Sequence, residues 1–124
     1  MNRVNGLLVA VILLSLPACG DDEETSKLLV AGSSPDRGRA AIERYGCASC
    51  HTIPWIQGAD ALVGPPLHRI ASRTYIAGVL ENTRENMVRW VKDPPGVDPL
   101  TAMPNLRVTD DDARDIAAFL YTLR

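Results

Sequence analysis

Cys47-Ala48-Ser49-Cys50-His51 is the stretch on which the reading of this chain turns. C-x-x-C-H is the attachment sequence of a c-type haem. Two thiols on one turn of helix can reach the two vinyl groups along one edge of the ring, and the adjoining imidazole then faces the iron. Three other readings stand beside it: a redox C-x-x-C with an incidental histidine, half of a zinc site, or a disulfide. Zinc needs two more soft ligands, and outside the motif the chain offers only Cys19 and His68. A thioredoxin-like site calls for a surrounding βαβ pattern, which the sequence lacks. The rest of the chain has to supply a second iron ligand and a pocket.

Length and composition narrow the setting. At 124 residues the chain allows one small domain. A formal charge of −2, from 13 basic and 15 acidic residues, gives no sign of nucleic-acid binding. The 46% hydrophobic content argues against disorder. Only 5% of residues are aromatic, with a single Phe, so the domain has little large apolar area of its own. A flat haem would fill that deficit and form part of the core. The haem-free chain is therefore expected to be poorly folded.

Residues 1–18 read as a secretory signal, with Arg3 ahead of an apolar run at 7–16 that is short for a membrane span. Leu16-Pro17-Ala18-Cys19 resembles a lipobox, which makes Cys19 the lipidated first residue of the mature protein. That assignment also accounts for three cysteines, one for lipid and two for haem. Residues 19–34, with the acidic cluster at 21–24 and Gly32-Ser33-Ser34, read as a flexible acidic tether. The third segment is residues 35–124.

Within it, Ser34-Pro35-Asp36 is a helix start: a capping hydroxyl, a first-turn proline and an acid at the positive end. The helix is predicted to run to about residue 45, with Ala41, Ile42 and Tyr45 on one face. Gly38 costs helix propensity, and a close helix crossing is the natural reason to accept it. Trp55, in the loop at 52–63, reads as a haem-edge or loop-packing residue. In Gly64-Pro65-Pro66-Leu67 the prolines donate nothing but keep their carbonyls. A rigid carbonyl is what a ligating imidazole needs for its second ring N–H, and Pro65 is assigned that part.

Thr83 caps a helix over 84–92 that stops before Asp93-Pro94-Pro95. Met87, Val88, Trp90 and Val91 supply its buried faces, so Met87 reads as core. A loop at 94–104 holds Met103, whose thioether either fills a gap or offers a soft ligand. Thr109 caps the last helix, with Asp110, Asp111 and Asp112 at its positive end and Ala113, Ile116, Ala117, Leu120 and Leu123 as its inward stripe.

CASCH, GPPLHRIASR, ENMVRWVKDP and TAMP, followed by a terminal amphipathic helix, together resemble a class I cytochrome c over residues 36–124. They are similar to the haem domains that serve respiratory oxidases, sometimes fused to an oxidase subunit. The resemblance implies an all-α small cytochrome c fold, with N- and C-terminal helices crossing and three to five helices wrapped around one covalent haem. It implies haem c held by Cys47 and Cys50, with His51 and Met103 as the axial iron ligands. It places Arg73 and Thr101 near haem propionates and Trp90 close to the ligand sulfur. It also packs Phe119 on Gly38 and turns His68 to solvent. Asn82 stands where mitochondrial relatives carry a propionate-side Trp.

The expected function is a membrane-tethered monohaem carrier and not an enzyme. It would pass single electrons between respiratory complexes, such as a cytochrome bc complex and a terminal oxidase. The carrier is expected to be a monomer, anchored through lipid on Cys19 at the extracytoplasmic, periplasmic face of a bacterial membrane, with no nucleic-acid partner. Two alternatives are a haem enzyme or gas sensor with a displaceable Met103, and a fixed haem subunit of a larger complex.

Overall fold

The structure, a computed structural model, describes residues 32–124. The signal expected at 1–18, the lipidation at Cys19 and the tether as far as residue 31 lie outside the described residues. Helix α1 (Pro35–Arg44) begins where the sequence places it: the Ser34 hydroxyl accepts the Arg37 N–H, and proline occupies the first turn. Gly46, at φ +70°, ends the helix by taking a left-handed conformation. The chain then tightens into a 3-10 turn over Cys47–Ser49.

Helix α2 (Arg84–Lys92) is capped by the Thr83 hydroxyl, which accepts the Asn86 N–H. Helix α4 (Asp110–Leu120) is capped by Thr109, whose hydroxyl accepts the Asp112 N–H. Between them the stretch expected to be loop at 94–104 starts with a short helix, α3 (Pro94–Val97), capped by Asp93. Strands β1 (Tyr75–Ile76) and β2 (Leu80–Glu81) pair antiparallel, with Tyr75 opposite Glu81. The reversal runs through Ala77 and Gly78, both at positive φ. This hairpin is not legible beforehand, because two-residue strands are too short to show alternation. Of the two places expected for Trp55, haem edge or loop packing, its exposure removes the second. The residue sits at φ +66° on the tip of the 52–60 hairpin and is 74% exposed.

The core forms where α1 crosses α4. Ala41, Ile42, Ala113, Ile116 and Ala117 are buried there, and Met87, Trp90 and Val91 of α2 join them. Each such large side chain contributes about 1.5–3 kcal/mol by leaving water. A Cβ on Gly38 would lie 1.9 Å from the Asp115 carbonyl oxygen and 3.0 Å from the Ile116 nitrogen. The expected crossing is present, and at Gly38 it brings the α4 backbone at residues 115 and 116 against the glycine. With no side chain between them, the two helices approach backbone to backbone.

Charged groups hold the crossing at both ends. Asp115, 5% exposed within α4, accepts Arg37 Nε at 2.7 Å, Arg37 Nη2 at 2.9 Å and the Ser34 N–H at 2.6 Å. At the other end Asp112 accepts from Arg44 at 2.7 Å and from the Tyr45 hydroxyl at 2.8 Å, and Asp110 pairs with Lys92. The acidic run is thus a set of interhelix ties as well as a cap. Donation from Tyr45, then from Arg44 and Thr109, holds the Asp112 carboxyl below the ordinary carboxylate range. An unfolded aspartate titrates near pH ~3.9, so this stabilisation is complete above that pH. It is lost as pH falls through the lower folded value. Asp112→Asn is expected to lower the denaturation midpoint at pH 7 and to flatten its fall below pH ~4. A slope matching the unsubstituted protein would remove Asp112 from the acid response.

Candidate functional site

One tight turn sets the order of the attachment residues. The N–H groups of Cys50 and His51 both donate to the Cys47 carbonyl, at 3.2 and 3.1 Å. The two thiols and the imidazole therefore leave a single turn, all three half-buried. Cys47 and Cys50 form no disulfide with each other, and before haem is attached burial pushes the Cys47 thiol above its ordinary pKa, with Cys50 adding to it. A protonated, half-buried thiol is a poor spontaneous nucleophile.

His51 Nδ1 lies 2.7 Å from the Pro65 carbonyl oxygen. A carbonyl only accepts, so Nδ1 carries the proton and Nε2 keeps the lone pair. That contact fixes both tautomer and ring orientation, as a metal-binding imidazole requires. The segment after it is stitched to both sides of His51: the Gly64 N–H donates to the Cys50 carbonyl at 2.7 Å, and Leu67 to Thr52 at 2.9 Å. Gly64 itself lies against the imidazole. A Cβ there would come 2.4 Å from His51 Cε1 and 2.7 Å from Nδ1.

Met103 is half-buried and packs against the same core as Cys47, Leu67 and Leu106. Its N–H donates to the Thr101 hydroxyl at 3.2 Å, and the Thr101 N–H donates to the Asp98 carbonyl at 3.0 Å. Thr101 thus braces the backbone that carries Met103. Arg73 places Nη2 on the carbonyls of Pro66 and His68, at 2.5 and 3.0 Å. Trp90 is buried in the core, Met87 is 2% exposed in mid-helix as expected of packing, and His68 faces solvent.

These groups fit a covalent haem. Two thiols leave one turn, one imidazole has a single free nitrogen held in place, and a soft thioether is braced in the loop before α4. Among the described residues no three His, Cys, Asp or Glu side chains cluster as a metal site, so the zinc reading finds no further ligands there. The sequence reading missed two polar centres. Asp115 looks like any surface acid of an amphipathic helix, and only partners distant in sequence, Arg37 and the Ser34 N–H, explain its burial. Asn82 carries no local signal of the three hydrogen bonds its side chain makes.

Comparison with known proteins gives a consistent picture. The family model described as Cytochrome c matches residues 35–124. Cytochrome c oxidase subunit 2 of Alkalihalophilus pseudofirmus is 30% identical over 90 residues, covering 72% of this chain and 25% of that protein. The protein of the same name in Bacillus subtilis is 29% identical over 92 residues, 71% of this chain and 26% of its own length. That of Bacillus sp. strain PS3 is 28% identical over 88 residues, 68% and 25% of the two lengths. The chain spans about a quarter of the length of these relatives.

Proposed function

Because the chain belongs to the cytochrome c family, we propose that it is a membrane-tethered, single-haem electron carrier that delivers electrons one at a time to a terminal oxidase. Haem c, joined through Cys47 and Cys50, supplies a one-electron redox couple. In this reading His51 Nε2 and the Met103 thioether take the two axial positions. The observation that carries it is the His51–Pro65 contact at 2.7 Å, which leaves Nε2 as the ring's available donor. A soft thioether favours the reduced state and raises the potential. Held by His51 and Met103 together, the group would have no position left open for a substrate, and it would supply one-electron transfer.

The signal at 1–18, lipid on Cys19 and the tether to residue 34 would hold this domain at the extracytoplasmic membrane face. Among the described residues no helix is long and apolar enough to cross a membrane. Residues 35–124 carry 11 basic and 11 acidic side chains, so long-range charge steering toward a partner is weak. A tether raises local concentration in its place. The oxidase as partner is supported by the name the relatives carry, and the same name favours a second reading, a fixed haem subunit of a larger complex. Co-purification with an oxidase that survives high salt would select the second reading over the mobile carrier.

The axial assignment is tested by Met103→Ala in the haem-loaded protein. The weak sulfur-to-iron band of the ferric form is expected to vanish. High-spin haem that binds CO should replace it, and the potential should fall by a sizeable fraction of the ~0.8 V that axial ligands span. An unchanged spectrum would mean that another residue is the ligand.

A further inference from the structure

Asn82, just ahead of the Thr83 cap, ties three separate segments together. Its Nδ2 donates to the carbonyls of Ile70 and Arg73, at 2.8 and 2.7 Å. Its Oδ1 accepts the Tyr121 hydroxyl at 2.7 Å. The amide orientation follows from these partners: turned over, its oxygen would face two carbonyls, which only accept. Tyr121 sits at the C-terminal end of α4; a tyrosine hydroxyl is protonated at neutral pH and so donates here, and burial raises its pKa further. A second tie joins the same places, since the Ala71 N–H donates to the Leu123 carbonyl at 3.2 Å. The bend at Ile70–Ser72 is thereby fastened to the end of the last helix.

From that bend the connection continues to the imidazole. Arg73, whose carbonyl Asn82 holds, reaches back with Nη2 to the carbonyls of Pro66 and His68. Pro66 follows Pro65, the residue whose carbonyl fixes His51 Nδ1. We propose that Asn82 is a positioning residue for His51, holding the Pro65 carbonyl on the imidazole through Arg73 and itself anchored by Tyr121 on α4. The inference rests on the reading of His51 as an axial ligand. It gives Arg73 a structural task in the 66–68 loop and gives the C-terminal helix a hold on the ligand's orientation. Gly64 and Leu67 hold the ends of that loop through their own N–H groups, but the two prolines between them donate nothing, so there the hold comes from Arg73 donating into the Pro66 and His68 carbonyls.

The test follows the ring proton directly. In ¹⁵N-labelled, haem-loaded protein, hydrogen exchange at His51 Nδ1 is measured for the unsubstituted chain, Tyr121→Phe, Asn82→Leu and the core control Ile116→Val. One neutral hydrogen bond is worth a factor of about 2–10 in a local opening equilibrium. Tyr121→Phe is expected to speed exchange by that factor, Asn82→Leu by more, and Ile116→Val not at all beyond its effect on overall stability. If Asn82→Leu fails to fold, Tyr121→Phe still decides. Exchange in Tyr121→Phe that changes only as far as overall stability does, as in the control, overturns the positioning role. A His51 ring without a paramagnetic shift in the ferric protein overturns the axial reading and this inference with it. A shifted ring with unaltered exchange overturns the inference alone.

Discussion

Haem-loaded protein carrying Gly38→Ala is expected to lose more than about 3 kcal/mol of stability, beyond the usual 1–3 kcal/mol for overpacking. The added methyl would lie 1.9 Å from the Asp115 carbonyl oxygen and 2.5 Å from its carbon, both backbone atoms of α4. No rotamer change relieves such contacts, so the helices have to move apart. Moving them apart also stretches the bonds from Ser34 and Arg37 to the Asp115 carboxylate. Alanine's better helix propensity returns only about 1 kcal/mol. For a domain with ~5–15 kcal/mol in total, the remainder is a large fraction. Urea denaturation of purified holoprotein measures it, and a midpoint close to that of the unsubstituted chain would show that the helices do not approach at Gly38.

Gly64→Ala should strike the site itself. Here the methyl would meet three ring atoms of His51, at 2.4, 2.7 and 2.9 Å. A side chain could normally swing away, but this ring is fastened to the Pro65 carbonyl, and Gly64 is bonded to the Cys50 carbonyl. Either the ring tilts and gives up the Pro65 contact, or the 64–67 segment shifts as a whole. Both outcomes would weaken the imidazole in the axial role proposed for it. The expected result is a lower yield of haem-loaded protein, a fraction of high-spin haem, and a stability loss of about 1–3 kcal/mol. Haem content and the ferric optical spectrum are the measurements. Fully loaded, low-spin protein with an unaltered melt would mean that Gly64 does not confine the ring.

Much of this site is written in short local patterns. The pentapeptide at 47–51 specifies its own turn. The prolines after Gly64 announce a bare carbonyl, and Ser34, Thr83 and Thr109 mark helix starts because capping is decided by one residue and its nearest amides. What escaped the sequence depends on partners far along the chain. Asp115 is buried by Arg37 and Ser34, Asn82 is fixed by Tyr121, and Gly38 meets the backbone of residues 115–116. A glycine inside a helix signals that something comes close. Which atoms come close is a property of the crossing, and one helix alone does not contain it. The hairpin at 75–81 was missed for the opposite reason, since its strands are too short to leave any pattern.

The bonds to Asp115 also set how the domain carries load. Any pull on the chain ahead of residue 32 arrives at Gly32 and Ser34. There Arg37 holds the Gly32 carbonyl at 2.5 Å, and Asp115 holds both Arg37 and the Ser34 N–H. Force entering at the start of α1 therefore passes sideways into α4 before it can peel α1 open from its end. The two helices share the load in shear across their crossing, where many contacts resist at once. A leash attached at this point would tug on a corner that Arg37 and Asp115 brace, at the opposite end of α1 from the turn at 47–51.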